Sequence, residues 1–393
     1  MPGAEPQVLT GARLVLPDEV VDGFSVVVRD GVIAAVVPDA EAPASTVRYD
    51  GCTIVPGLVD LHVHGGGGRS FDEPDPQAHR EVVAFHARHG VTTLQASLVS
   101  AAPDELEQRL DALAGSVGRD GLHGVHLEGP YLAADQCGAH DPSVLRAPSP
   151  GEADRLLARG GLVTMVTVAP ELDGAAEFVR RLAGAGVVMA AGHSSARAAD
   201  FGAAVAGGLS HLTHLWSCQS TTVREGPYRV PGLLEESLAS DGLTAEIIAD
   251  GHHLPPVLIE IARRCLPGRL VAVSDATPGA GMPNGYRYRL GVVECEVVDG
   301  VGKIVGQDAF GGSVTPLSRM LVHLHRGLGW PLPEAVAATS TRPAQVLGLD
   351  RKGRLAPGHD ADLAVLGEDL SVVATMSGGR WIHRSPSVSS EET

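Results

Sequence analysis

The chain has 393 residues, of which 44% are hydrophobic and 20% charged, and its formal net charge is −17 at pH 7 with a pI near 5.4. This is an ordinary globular composition, and the length suits one large domain with a smaller one. The acidic balance argues against a nucleic-acid partner, because phosphate binding needs clustered Lys and Arg.

Cysteine usage and apolar runs indicate where the protein acts. Five scattered cysteines show no CxxC spacing, which predicts neither a disulfide framework nor a thiolate zinc site. The start MPGAEPQVL lacks a basic segment and a long apolar run, and no later stretch reaches about 18 consecutive apolar residues. We therefore expect a cytoplasmic protein with no membrane partner.

Short β-like segments mark both ends of the chain. From residue 7 to about 50, apolar runs alternate with turn residues, and Asp30-Gly31 between two β-branched runs indicates a hairpin. Segments of the same kind, ADLAVL and SVVATMSGGRWIH, return near the other end, before a polar tail, SPSVSSEET. Two terminal β regions therefore flank a different type of structure.

Between residues 57 and 277 lie eight apolar runs of strand length, each followed by a loop and usually by a helical pattern. The runs are GLVDLHVH, VTTLQASL, LHGVHLEG, LVTMVTVAP, VVMAAGHS, LSHLTHLW, LTAEIIAD and LVAVSDA. Near-continuous apolar strands that alternate with helices predict a parallel sheet covered on both faces. Eight such units predict an α/β protein with a (β/α)8 TIM-like barrel, which we place at residues 56–349.

Local signals support the details of this barrel. In DPQAHREVVAFHARHG, Asp75 or an earlier acid can cap the helix start, and Gly90 ends the helix before the next strand. After the eighth run, NGYRYRLGVVECEVVDGVGKIVG alternates and turns at Asp299-Gly300. We predict a β insertion near residues 284–306, followed by helices that complete the barrel region.

Imidazoles and carboxylates follow six of the predicted strands, where active sites of such barrels lie. They are His62 and His64, Glu128, His193, His214, Asp250 and Asp275. A single one has an ordinary explanation, since HVH alone also fits a histidine pair on a solvated edge strand. The ordered set instead indicates a metal centre.

Histidines with carboxylates and no matching cysteines suit zinc, iron or manganese better than calcium or magnesium. We expect one or two divalent ions per subunit, zinc first, with iron, manganese or cobalt as alternatives. Such an ion supplies hydroxide at neutral pH. Asp275 is the candidate general base that then serves as general acid.

Ten motifs in a fixed order relate the whole chain to a known family. They are PGLVDLHVHGGGG (56–68), HLEGPYL (126–132), GAHDP (138–142), VAPE (168–171), AGHSSA (191–196), THL (213–215), ADGHH (249–253), VSDATPGAG (273–281), GGS (311–313) and GRLAPGHDADLAVL (353–366). With them the chain resembles the amidohydrolase superfamily and, within it, the family of N-acetylglucosamine-6-phosphate deacetylases. The resemblance implies hydrolysis of N-acetylglucosamine 6-phosphate to glucosamine 6-phosphate and acetate. It also implies that residues 1–55 and 350–393 form one small β-sandwich domain.

The resemblance also implies roles at the metal centre. Glu128, His193 and His214 would hold one ion, and His62 and His64 would hold a second ion that shares Glu128. The glycines after HVH would let the backbone pass close to the substrate. Many binuclear relatives bridge their metals with a carboxylated lysine on a barrel strand, but the only lysines here are Lys303 and Lys352. Glu128 is therefore the expected bridge.

Further residues fall in the substrate pocket that the resemblance implies. His140 of GAHDP would contact the acetyl carbonyl beside Gly138 and Ala139, and His253 would contact the phosphate or hydroxyls, with Ser217 nearby. Arg229 of RVPG matches an arginine that reaches the phosphate from the neighbouring subunit of a homodimer. Its alternative role is a surface ion pair.

The chain departs from the family pattern beside this pocket. Trp216-Ser217-Cys218-Gln219 replaces an aromatic followed by Asn-Ala-Met, and Val230 replaces a glutamate. Cys137 stands where a basic residue is common, either as an inert loop thiol or near the metals. These changes leave open another N-acyl amino sugar or an aminopurine as substrate, and a non-catalytic binding protein on the same scaffold.

Overall fold

The computed structural model describes residues 6–44 and 46–386, so the end of the polar tail lies outside the described residues. Backbone contacts divide the chain into two compact units. One comprises Met1–Asp60, Val83–Leu94 and Pro316–Thr393, and the other comprises Leu61–Val82 and Gln95–Thr315. The domain boundaries suggested by the sequence, at residues 56 and 349, stay a prediction.

An eight-stranded sheet forms a nearly closed barrel. Its strands are Leu58–Val63, Val91–Val99, Leu122–Glu128, Val163–Val168, Val188–Ala191, His211–Leu212, Thr244–Ile247 and Leu270–Ala272. Barrel strands that follow one another in the chain are also adjacent in the sheet. The third to eighth strands pair in parallel. A parallel bridge between Val63 and Ala276 links the segment after the last strand to the first strand. The predicted (β/α)8 barrel is confirmed, with one strand in each of the eight apolar runs.

Helices follow most of these strands. They are Pro76–Arg88, Pro103–Ala114, Pro150–Leu157, Ala175–Ala183, Ala198–Gly207, Leu233–Ala239 and Pro256–Cys265, with short 3-10 turns at Ala134–Gln136 and Pro142–Val144. Asp75 begins the first helix as predicted, because its Oδ1 accepts a hydrogen bond from Gln77 N at 2.9 Å. Ser149 and Glu152 form a reciprocal capping box at the start of Pro150–Leu157.

The terminal unit contains two β-sheets. Four strands form one sheet, in the order Val32–Pro38, Phe24–Arg29, Gln7–Thr10 and Thr46–Arg48. Six form the other, in the order Arg380–Arg384, Val372–Ser377, Leu363–Leu366, Thr53–Pro56, Arg13–Val15 and Val20–Val21. Leu9 and Val26 from the first sheet share one buried cluster with Ile54, Val365 and Met376 from the second. Both chain ends therefore build a β-sandwich, as expected.

Two predicted turns have the backbone that their sequences require. Asp30 and Gly31, with φ of 51° and 81°, join Phe24–Arg29 to Val32–Pro38. Asp299 and Gly300, with φ of 51° and 80°, join two strands of the β insertion. Consecutive positive φ values match the right-handed twist of hairpin strands, which explains the Asp-Gly signal.

Other segments complete the described structure. The β insertion consists of Arg287–Leu290, Val293–Val298 and Val301–Ile304, and two strand pairs join Gly65–Gly66 to Arg69–Ser70 and Val223–Glu225 to Tyr228–Val230. The terminal unit adds the 3-10 turn Asp39–Glu41 and the helical segments Leu317–Val322, His323–Gly327, Leu332–Val336, Ala337–Thr341 and Arg342–Val346, of which the second and fourth are π-helical. Within the described ranges, no helix combines the length and apolar character needed to span a bilayer.

The glycine run after HVH has a structural reason within its own turn, and its expected closeness to the substrate stays a prediction. A Cβ on Gly65 would overlap the carbonyl oxygen of Arg69 across its strand pair. Gly67 and Gly68 adopt φ of 62° and 86°, which favour glycine. The run therefore forms a tight turn beside the first strand, and these glycines are not part of the pocket wall described below.

Candidate active site

The carboxylate of Glu128, the last residue of the third barrel strand, lies between two pairs of histidines. Its Oε1 is 3.0 Å from His193 Nε2 and 2.8 Å from His214 Nε2. Its Oε2 is 3.1 Å from His64 Nε2 and 3.5 Å from His62 Nε2. All five residues are buried. The structure thus brings together every residue predicted to hold metal, with one oxygen of Glu128 facing each pair.

Hydrogen bonds at Nδ1 orient two of these rings. His64 Nδ1 lies 3.1 Å from Ser97 O, and His193 Nδ1 lies 2.9 Å from Gln136 O. A carbonyl oxygen only accepts, so each Nδ1 carries a hydrogen in these contacts. In the neutral ring the Nε2 lone pair then points at Glu128, which is the arrangement that a metal ion requires.

A second carboxylate, Glu246, orients the third ring. Glu246 lies in the middle of Thr244–Ile247 and is fully buried. Its Oε2 is 3.1 Å from His62 Nδ1 and accepts from His214 N at 3.1 Å, while its Oε1 is 3.3 Å from His211 Nε2. Sequence analysis missed Glu246, although a single charge inside the apolar run LTAEII was a usable signal.

The donor set fits a divalent metal. Two groups of ligand atoms lie within 4.8 Å of one another, namely His62, His64 and Glu128, and Glu128, His140 and His193. Imidazole nitrogens with a shared carboxylate are a donor set for zinc, iron or manganese. Lys303 lies in the β insertion and Lys352 in the terminal unit, so neither bridges these groups.

His140 differs from His64 and His193 in which ring nitrogen carries the hydrogen. Its Nδ1 accepts a hydrogen bond from Ser100 N at 3.2 Å, so the hydrogen of the neutral ring is on Nε2. Burial lowers the pKa of His140 to about 4, which keeps the ring neutral at pH 7. Nε2, 3.3 Å from Glu128 Oε2, is therefore a hydrogen-bond donor into the site and not a free lone pair.

Asp275 completes the cluster from the segment after the eighth strand. Its Oδ1 is 3.4 Å from His64 Nε2 and 3.6 Å from His62 Nε2. Asp275 and His193 have φ of 46° and 47°, a left-handed conformation that is uncommon for non-glycine residues. Such backbone strain costs about 1–3 kcal/mol and is concentrated at functional sites.

The electrostatics of the cluster favour a bound cation. Burial lowers the pKa of His64, but hydrogen bonds with Asp275 and Glu128 outweigh it and raise this pKa to about 9. Burial raises the pKa of Glu246, yet His62 and His211 bring it well below the usual range. The buried carboxylates thus attract positive charge, and a divalent ion can displace the imidazole protons.

A cavity of about 220 Å³ opens beside the cluster. Four of the five residues predicted to bind substrate, Gly138, Ala139, Ser217 and His253, line it in the described chain, as do His140 and Asp275, whereas Arg229 does not. Phe310, which sequence analysis did not select, forms part of the wall with its ring 4.6 Å from that of His253. The cavity therefore extends from the candidate reaction centre to a wall formed by Phe310 and His253.

His253 is held by Asp250, the strand-end carboxylate of the seventh run. His253 Nδ1 lies 2.7 Å from Asp250 Oδ2. Burial opposes ionisation of Asp250, but this hydrogen bond and the charge of His253 lower the pKa of Asp250 to about 2. Burial likewise opposes ionisation of His253, and the same partner raises its pKa above the usual value. Asp250 thus supports the pocket wall and does not join the metal-type groups.

Arg229 lies on the exposed strand Tyr228–Val230, where its Nη1 donates to Pro227 O at 3.0 Å. It is not among the residues that line the cavity within the described chain. Tyr228 beside it is 73% exposed. A contact of Arg229 with the pocket of a second subunit stays a prediction.

The loop 216–219, which departs from the family pattern, is held in place by hydrogen bonds of the Gln219 side chain. Gln219 Nε2 donates to Thr213 O at 2.9 Å, and Trp216 N donates to Gln219 Oε1 at 3.2 Å. Cys218 lines the cavity, and a Cβ on Gly138 would lie 2.8 Å from its Sγ. Of the two thiols near the pocket in the sequence, Cys218 and not Cys137 forms part of the cavity wall of the described chain.

Comparisons with known proteins agree with this geometry. Residues 53–382 match the model of the Amidohydrolase family. N-acetylglucosamine-6-phosphate deacetylase from Bos taurus is 35% identical, with 84% of each chain covered. N-acetylgalactosamine-6-phosphate deacetylase from Escherichia coli O157:H7 is 32% identical, with 93% of this chain and 96% of the relative covered. The structure of the Mycobacterium smegmatis N-acetyl-D-glucosamine-6-phosphate deacetylase in complex with N-acetyl-D-glucosamine-6-phosphate has a TM-score of 0.91 at 36% identity, covering 96% of this chain and 100% of that one.

Proposed function

Because the chain belongs to the amidohydrolase family, we propose that it is a metal-dependent deacetylase that converts N-acetylglucosamine 6-phosphate to glucosamine 6-phosphate and acetate. The observation that carries the proposal is the position of Glu128 between two histidine pairs, with Asp275 and His140 facing the same cavity. The bovine and mycobacterial relatives are named for this activity.

Asp275 is the proposed proton carrier. When bound, a divalent ion, for which we propose zinc at two sites, supplies a water of lowered pKa and polarises the acetyl carbonyl. Asp275 accepts the proton of the attacking water and later donates it to the amine as the C–N bond breaks. Its carboxylate faces both the histidines and the cavity, which suits this transfer.

His140 is the proposed donor to the developing negative charge. Its Nε2 hydrogen is fixed by the bond that Nδ1 accepts from Ser100 N. A neutral donor aimed at the acetyl oxygen strengthens its hydrogen bond as that oxygen gains charge. This role requires no change in the protonation of His140 during turnover.

The phosphate is proposed to bind where positive charge meets the cavity. His253, whose pKa is raised by its hydrogen bond with Asp250, faces the pocket directly. The partner subunit's Arg229 would reach the same phosphate in a homodimer, since this arginine lies on an exposed hairpin in its own chain. The proposal therefore includes a homodimer, and a cytoplasmic location as the sequence predicts.

A second candidate substrate is N-acetylgalactosamine 6-phosphate. The relative from Escherichia coli O157:H7 that carries this name matches nearly the whole chain. The loop with Ser217 and Cys218 departs from the family pattern in the wall of the cavity. A changed cavity wall would change which hexosamine phosphate the enzyme prefers as substrate.

Acetate release by metal-replete protein tests the proposal. The assay compares N-acetylglucosamine 6-phosphate with its unphosphorylated form and with the galactosamine and mannosamine phosphates. We expect turnover that depends on the phosphate, and the highest kcat/KM for the glucosamine compound. A higher value for the galactosamine phosphate would select the second candidate. Ammonia release from aminopurines without acetate release from any sugar would overturn deacetylation.

A further inference from the structure

Glu246 is a buried carboxylate to which the proposed reaction gives no role. It is 0% exposed and touches both halves of the cluster, because its Oε2 lies 3.1 Å from His62 Nδ1 and 3.1 Å from His214 N. Its other oxygen faces His211, whose Nδ1 is 2.6 Å from Thr244 Oγ1. These partners donate to the carboxylate and hold it in one place.

We propose that Glu246 is the positioning residue that sets the metal content of the centre at two ions instead of one. This inference rests on the proposed function, because it concerns the same metal centre. Glu246 acts through His62 and has no contact with the substrate cavity in the described chain.

The first argument is orientation. With Nδ1 of His62 donating to Glu246, the Nε2 lone pair is directed toward Glu128 Oε2 and lies 3.1 Å from His64 Nε2. Carboxylate partners of this type fix the tautomer of a metal-binding histidine and raise its basicity. The His193 ring takes its orientation from a carbonyl instead, so the rings of the two pairs are oriented by different partners, although Glu246 also accepts from the backbone N of His214.

The second argument is charge. A single divalent ion is balanced by Glu128 and Asp275, which both face the cluster. A second ion adds two further positive charges at a site with almost no exposure to water, where unbalanced charge is costly. Glu246 is the additional buried negative charge in contact with His62. Because Glu246 contacts the ring of His62 but only the backbone N of His214, its removal should weaken the ion held by His62 and His64 more than the other ion.

Cobalt titration of metal-free protein tests the proposal. Binding is followed by visible absorption of Co²⁺ and by metal analysis of the dialysed protein. Wild type should bind two ions per chain. Glu246→Gln keeps the shape and one acceptor oxygen but removes the charge, so it should retain one ion and bind the second at least about ten-fold more weakly. Glu260→Gln, on helix Pro256–Cys265 and away from the cluster, is the matched control and should bind two.

The outcomes separate this inference from the proposed function. Two ions in Glu246→Gln with wild-type affinity, or a single ion in wild type, would overturn the role of Glu246. Metal counting needs no sugar, so a two-ion wild type that releases no acetate would overturn the deacetylase alone. If Glu246→Gln does not fold, Glu246→Asp keeps the charge and should still bind two ions. A folded Glu246→Asp protein with one ion would count against the charge argument.

Discussion

At the scale of single residues, the direction of one hydrogen bond separates ligands from donors. His64 and His193 donate from Nδ1 to carbonyl oxygens, whereas His140 accepts at Nδ1 from a backbone N–H. The sequence shows identical imidazoles and no tautomers, so it identified the histidines but could not assign their protons. The role implied for His140 by family resemblance agrees with the proton that the backbone gives it.

Replacement of Asp275 by Asn tests proton transfer. The amide keeps the size of the side chain but takes up no proton at neutral pH, so kcat should fall by about 10²–10⁴. At least one ion should remain bound, because Glu128 and the four histidines remain, while loss of the Asp275 charge beside His62 and His64 should weaken the second ion. Steady-state kinetics and metal analysis check both expectations, and Asp308→Asn on the exposed loop is the control. Wild-type turnover in the Asp275 variant would refute the assigned role.

Replacement of Asp250 by Asn tests the charge of His253. Asp250 raises the pKa of His253, so the charged form that we propose binds the phosphate is lost only as pH rises through that raised pKa. In Asp250→Asn the loss should begin at lower pH, and the pH profile of KM for the phosphorylated sugar should shift to the acid side. The unphosphorylated sugar provides the control, and an identical shift with it would contradict a phosphate contact.

At the scale of elements, the sequence pattern predicted the barrel strands, but it did not predict contacts between residues that are far apart in the chain. Burial on both faces makes strands such as Val91–Val99 apolar throughout, and that pattern is visible locally. Glu246 escaped notice because its partner His62 is 184 positions away. The glycine run was recognised, but the overlap that Gly65 avoids, with Arg69 O and Pro278, was not, since it depends on the path of the folded backbone.

Gly192, between the fifth strand and His193, is a position where one methyl group should disturb the metal centre. A Cβ there would lie 2.7 Å from Thr213 Cβ and 3.1 Å from Thr167 Cγ2. Gly192→Ala should therefore separate the fifth and sixth strands, lower the melting temperature and weaken metal binding at His193.

The matched control is Gly202, which is exposed inside helix Ala198–Gly207 and has open space around it. Gly202→Ala should stabilise the protein by about 0.5–1 kcal/mol. Thermal melts and metal affinities of both variants check the pair. Equal metal affinity in the two variants would show that the spacing at Gly192 does not matter.

At the scale of the whole molecule, the pocket wall of one chain contains only one of the two residues that we propose contact the phosphate. His253 faces the cavity, whereas Arg229 lies on an exposed hairpin. The family resemblance implied both residues, but a partner's contribution depends on a second copy of the chain. A symmetric dimer would place the same hairpin at both pockets.

Mixing two variants, each impaired at a different residue, tests this arrangement at substrate concentrations far below KM. Asp275→Asn lacks the proton carrier, and Arg229→Ala should raise KM for the phosphorylated sugar. If the arginine acts across subunits, a mixed dimer contains one site with both residues intact, so subunit exchange should restore about one quarter of wild-type activity. Activity and sedimentation are measured before and after exchange. No recovery in a mixture that contains mixed dimers would place Arg229 outside the partner's pocket.

The spread of the cluster along the chain has a consequence for the order of events in folding. His62 and Glu246 are 184 positions apart, and the bridge from Val63 to Ala276 joins the first strand to the segment after the last. Contacts between distant residues form slowly, and a metal ion binds tightly only where its ligands are assembled. During refolding with Co²⁺, far-ultraviolet circular dichroism should therefore recover before the visible absorption of the ion. Metal uptake would then mark ring closure, and a chelator should leave the earlier steps of folding unchanged.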